Sequence, residues 1–173
     1  MISAALQETE TKRRAPLDPV RLAEANINPK TGLATDYLNH FNEAIMLLEI
    51  LPEMPECITE LLGWEPLSYE EHFAASSFKD RELAIAAYDA AEPRARHRLD
   101  DLADTMNAML VATCEAMQTR PSLDAAITMA SETAARLKPL VAQAGAVING
   151  ATLEVSEEIT TGEQQAAVDA LLR

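Results

Sequence analysis

The chain has 173 residues, 48% hydrophobic and 24% charged, enough for one domain with a sizeable core and too few to expect two. Alanine fills 31 positions against 5 glycines and seven aromatic side chains, a balance that favours helices and argues against a sandwich or barrel. Net charge is −14, and residues 35–173 alone carry nine basic against 24 acidic side chains, so a phosphate backbone is repelled and an anionic membrane surface disfavoured. Cationic segments, metal ions or a protein partner with a basic face remain as electrostatic fits; the same acidity also serves plain solubility.

Residues 1–34 show no sustained period, hold Pro16, Pro19 and Pro29 and mix both charge signs, which predicts a flexible N-terminal arm. The early order of acidic residues before a basic cluster is the reverse of a secretory signal. A bundle domain is expected over 35–150. Thr35 or Asp36 is placed to cap a first helix in which Tyr37, Leu38, Phe41, Ile45, Leu48 and Leu51 recur at helical spacing until Pro52. Ile58, Leu61 and Leu62 then form a short apolar face that stops at Gly63. Ser68 and Glu71 have the spacing of a capping box for a helix carrying Tyr69, His72 and Phe73.

A further helix runs from about Lys79 to Glu92, where Pro93 suits the first position of its successor. Over 93–119 the apolar positions Leu99, Leu102, Met106, Met109, Leu110, Thr113 and Met117 keep three-or-four spacing, a rod of roughly 40 Å at 1.5 Å per residue. Arg120-Pro121 breaks it and Ser122 caps a returning helix over 122–149, in which Pro139 should cause a kink or a split. The fold class expected is all-α: a helical bundle built on this long antiparallel hairpin, with shorter capping helices from 35–91. Residues 151–173 read as an acidic linker and a short C-terminal helix with Val168, Leu171 and Leu172 on one side.

No run approaches the roughly 20 apolar residues that span a bilayer; the best, Ala44–Leu51, is interrupted by Glu49. Cys57 and Cys114 lack a Cys-x-x-Cys spacing and read as small core residues bearing reduced thiols. Together these features predict a cytoplasmic protein.

Three histidines are the main candidates for chemistry. His40 shares a helix face with Glu43, and His97 shares one with Asp100, Asp101 and Asp104. A mixed site of His40, Glu43, His72 and His97 suits zinc or iron, though bundles that bind such metals use paired Glu-x-x-His units that this chain lacks. The plainer expectation is that the histidines are surface or capped residues. Phosphotransfer modules present an exposed histidine followed by lysine and glycine at the third and fourth positions. Here Glu43 and Ala44 follow His40, and Asp100 and Asp101 follow His97, so a nearby carboxylate would repel a phosphoryl group.

Residues Gln164–Leu172 resemble the terminal peptide with which bacterial chemotaxis phosphatases dock onto a response regulator. Thr35–Ile45 is loosely similar to the active helix of that family, but Asn39 and Glu43 stand where the family has Asp and Gln four apart. The resemblance, under ten residues at the C-terminal end, implies a docking helix and no phosphatase activity. The plainer alternative is a helix folded back on the bundle.

No Gly-x-Ser-x-Gly elbow, phosphate loop, dinucleotide fingerprint or His-Glu-x-x-His occurs. All seven aromatics lie in 35–91, which makes that segment either a site or simply the widest part of the core. The functional expectation is a non-enzymatic cytoplasmic interaction or regulatory protein. The alternatives are a metal-binding bundle and a response-regulator-binding or phosphotransfer module. A homodimer through the long hairpin is expected, with the returning helix offering alanines 126, 130, 134, 142 and 144 for close approach.

Overall fold

The computed structural model describes residues 17–151; the first part of the expected arm, and the C-terminal helix with its docking resemblance, lie outside the described residues. Within them the chain is helical, with no strand and an isolated antiparallel bridge between Ile27 and Ala34. No helix among them is long and apolar enough to cross a membrane.

The first helix, α1 (Pro19–Glu24), falls in the stretch expected to be a flexible arm. Asp18 accepts from the Val20 amide at 3.1 Å, and Pro19 needs no amide partner at the first position. Leu22, Ala25, Ile27, Leu33 and Ala34 are buried in the common core, so the arm does not extend to residue 34. Reading aperiodicity as looseness failed because these residues pack as an irregular strap, tied by single polar contacts. Thr31 donates to the Ile148 carbonyl at 2.6 Å, and its own carbonyl accepts from the Glu92 amide at 3.1 Å. Gly32 makes this strap fit: its φ is +76°, and an added Cβ would lie 2.9 Å from the Ala87 carbonyl oxygen.

A 3₁₀ turn (Thr35–Tyr37) leads into α2 (Leu38–Ile50). Thr35 and Asp36 make no cap to the helix amides; Asp36 bonds to side chains instead, as described below. The inner face of α2 buries Leu38, His40, Phe41, Ala44, Ile45 and Leu48, the spacing the sequence shows. A second 3₁₀ turn (Pro55–Cys57) precedes α3 (Ile58–Leu62), which ends at Gly63. The capping box then opens α4 (Tyr69–Ala75): Ser68 Oγ accepts from the Glu71 amide at 3.2 Å and Glu71 Oε2 from the Ser68 amide at 2.8 Å. After α5 (Arg81–Asp89), Glu92 caps α6 (Pro93–Gln118) by accepting from the amides of Arg94 and Ala95.

Ser122 Oγ accepts from the Ala125 amide at 3.3 Å and starts α7 (Leu123–Ile148). Pro139 does not split α7. Both Pro139 and Ala135, whose carbonyl loses its helical donor, are exposed, so the missing bond falls on the solvent side of the helix. Helices α6 and α7 pack along each other, joined also by a 2.9 Å bond between the hydroxyls of Thr113 and Thr133. Helix α2 packs on α7, α3 on α2 and α6, and α4 on α5. Leu48, Leu61, Leu99, Met106, Leu110 and Leu137 are fully enclosed, each contributing about 1.5–3 kcal/mol of burial.

Candidate functional site

Two places in the fold bear on function: a histidine–aromatic cluster under α2 and α4, and an open groove along α6 and α7.

The cluster is built around His40, which the helical spacing of α2 points inward and leaves only 7% exposed. Trp64 lies flat against its ring, 4.6 Å away at 24°, and donates from Nε1 to the His40 carbonyl at 3.2 Å. Phe41 and Tyr37 flank it, and the His72 ring is 6.1 Å distant. His72 Nε2 pairs with Asp36 Oδ2 at 3.1 Å at the half-buried edge of the cluster. Burial, aided by the neighbouring His72, pulls His40 down to about 4, so it is neutral at ordinary pH. Its Nε2 is enclosed without a hydrogen-bond partner.

The remaining aromatics are committed to one another. Tyr69 stacks on Tyr88 at 4.5 Å and accepts the Ala34 amide at 3.0 Å; Tyr37 donates to the Leu67 carbonyl at 2.8 Å. Tyr88 donates to Asp100 at 2.7 Å beneath the Arg96 guanidinium, and burial with that bond pushes its hydroxyl up to about 12. Burial also raises the Cys57 and Cys114 thiols, which donate to the carbonyls of Leu47 and Leu61. These polar groups support packing: each sits against backbone, a neighbouring carboxylate or another ring.

Of the four expected metal ligands the structure brings together only His40 and His72. Glu43 is exposed on α2, and His97 stands on the surface of α6 in a separate hollow with Pro93, Arg94, Arg98 and Asp101. Among the described residues no three His, Cys, Asp or Glu side chains converge to hold a metal ion. A helix period puts residues on one face, but which faces meet is settled by packing. For phosphotransfer, His40 Nε2 is closed off from solvent, where a phosphoryl group could not reach it.

The groove has a volume of about 620 Å3 and runs along α6 past Thr105, Ala108, Met109, Ala112, Thr113 and Ala116. Met129, Glu132, Thr133 and Arg136 of α7 form its other wall. Small residues at 108, 112 and 116 lie one helical turn apart, so their backbone is approachable from outside. Of the five alanines expected to serve that purpose on the returning helix, Ala126, Ala130, Ala134 and Ala144 face inward and are buried, and only Ala142 is exposed. The four-residue repeat on α6 was the available signal, and it was overshadowed by the larger number of alanines on α7. No sequence pattern marks Asp36, Trp64 and Tyr37 as partners of the histidines, since their pairing is set by tertiary contact.

Compared with known protein families, curated proteins and solved structures, the chain matches none.

Proposed function

We propose that the chain is a non-enzymatic interaction or regulatory module of the cytoplasm, whose scaffold is the antiparallel hairpin of α6 and α7 and whose working surface is the groove along it. The observation that carries this reading is the groove itself, an apolar opening of about 620 Å3 on the two longest helices, edged by one acidic and one basic side chain. Grooves between helices accept a further amphipathic helix, which is how many regulatory proteins hold a partner. The tyrosine hydroxyls and the His72 ring of the cluster are engaged in bonds within the fold and His40 is closed off from solvent, which supports a binding role over turnover. Two buried thiols suit a reducing compartment.

The test is a photo-crosslinking amino acid placed at position 112 in the groove and, for comparison, at position 43 on α2, in the full chain expressed in cells. Adducts with protein from position 112 and few from position 43 are expected. Turnover of a small-molecule panel by the purified chain, with no adduct at position 112, would overturn the reading.

A metal-binding reading is favoured by one observation, the unpartnered Nε2 of His40 beside His72. It then rests on those two histidines without Glu43 or His97. Elemental analysis of untagged protein tests it: stoichiometric metal lost in His40→Ala is required, and metal-free protein ends it.

A further inference from the structure

We infer that the groove along α6 and α7 is filled by the same groove of a second copy of this chain, giving a twofold four-helix assembly. This rests on the interaction reading above and names its partner.

Charge distribution is the first argument. The chain carries −14 overall, yet the side chains that line the groove include one acidic and one basic group, Glu132 and Arg136, and no net charge. The excess negative charge lies elsewhere. Two copies of so acidic a chain repel each other over most of their surface, and a neutral face is where that cost is least. A partner chosen for a basic face would be drawn to the acidic remainder instead.

Self-complementary shape is the second argument. A twofold interface places one patch against itself, so the patch must carry both projections and recesses. Here Met109 and Met129, partly buried against the core, form apolar walls, and Ala108, Ala112 and Ala116 open recesses on the same stretch of α6. The stretch from Thr105 to Ala116 is about 17 Å long at 1.5 Å per residue, three turns of ridges and grooves. Glu132 and Arg136 stand one turn apart on the rim, and a twofold axis that passes between them sets each against the opposite charge of the other copy.

Light scattering coupled to size exclusion on the full chain, from low to high micromolar at moderate salt, reads the outcome. About twice the 18.8 kDa chain mass is expected. Ala112→Glu should return the single-chain mass with an unchanged circular dichroism spectrum and melting temperature, since position 112 is exposed in the single chain. Glu132→Arg or Arg136→Glu alone should raise the dissociation constant roughly fivefold, and the double exchange should restore it. A monomer at high micromolar concentration, or a dimer indifferent to Ala112→Glu and to the rim exchanges, overturns the inference. If the monomer still gives adducts with another protein from position 112, only the self-pairing falls; if position 112 gives none, the interaction reading falls with it.

Discussion

Residues 35–104 and residues 105–148 make opposite use of their side chains. The first region holds all seven aromatics, all three histidines and five basic against 16 acidic residues; the second has no aromatic ring and no net charge. Judged by residue chemistry the first is the natural place for a site. In the fold, its rings stack on one another, its tyrosine hydroxyls bond to backbone or to Asp100, and the His72 imidazole bonds to Asp36, while the His40 ring is enclosed by its neighbours. The plain region keeps an apolar groove of about 620 Å3, while a hollow of about 510 Å3 in the first region lies at Pro93, Arg94, His97, Arg98 and Asp101, away from the stacked rings. Side chains with shape and polarity are the means of fixing short helices α1 to α5 at defined angles, whereas long helices hold each other by repetition and can leave one face uncovered.

That contrast is sharpened first by the aromatic cluster. Tyr69→Ala should destabilise the chain by about 3–5 kcal/mol in urea unfolding, because it empties a fully packed ring site and orphans the Ala34 amide. Tyr69→Phe, which keeps the ring, should cost about 1–2 kcal/mol. If both variants were nearly neutral, the cluster would be a loosely held surface feature and a functional role for it would return.

A smaller effect is expected from acid. His40 titrates at about 4 in the folded chain against an ordinary 6.5, so between these values the unfolded chain binds a proton that the folded chain refuses. Stability present above pH 6.5 is therefore lost as pH falls towards 4, by on the order of 1–3 kcal/mol. His40→Phe should flatten this part of the profile, measured as urea midpoints from pH 7 to 4.5, without lowering stability at pH 7. An unchanged acid slope in His40→Phe would show that the ring is hydrated and the cluster open. Gly32→Ala should cost about 1–3 kcal/mol, through its positive φ and the approach to the Ala87 carbonyl, and a neutral result would release the N-terminal strap from the core.

Much of this architecture is legible before any coordinates, because caps and breakers act locally. The capping box at Ser68 and Glu71, Pro93 at a helix start and Ser122 after the break all appear where the spacing puts them. What is not legible is what depends on distant meetings. The strap of residues 25–34 has no period to announce it; its burial comes from Thr31 reaching Ile148, 117 positions away. The pairing of Asp36 with His72 crosses 36 positions, and nothing in either helix face indicates it. Alanine is ambiguous for the same reason: on α7 it permits internal packing, on α6 it lines an open groove, and only the position of the neighbouring helices tells the two apart.

The most direct test of the central claim, that two copies of the chain meet through the groove of the plain helices, is thiol modification at two introduced cysteines in the full chain, Ala112→Cys in the groove and Glu43→Cys on α2. Both positions are exposed in the single chain, while Cys57 and Cys114 are buried. The account predicts that modification at position 112 slows severalfold as protein concentration rises from low to high micromolar while position 43 keeps its rate; equal and concentration-independent rates at both positions would contradict it.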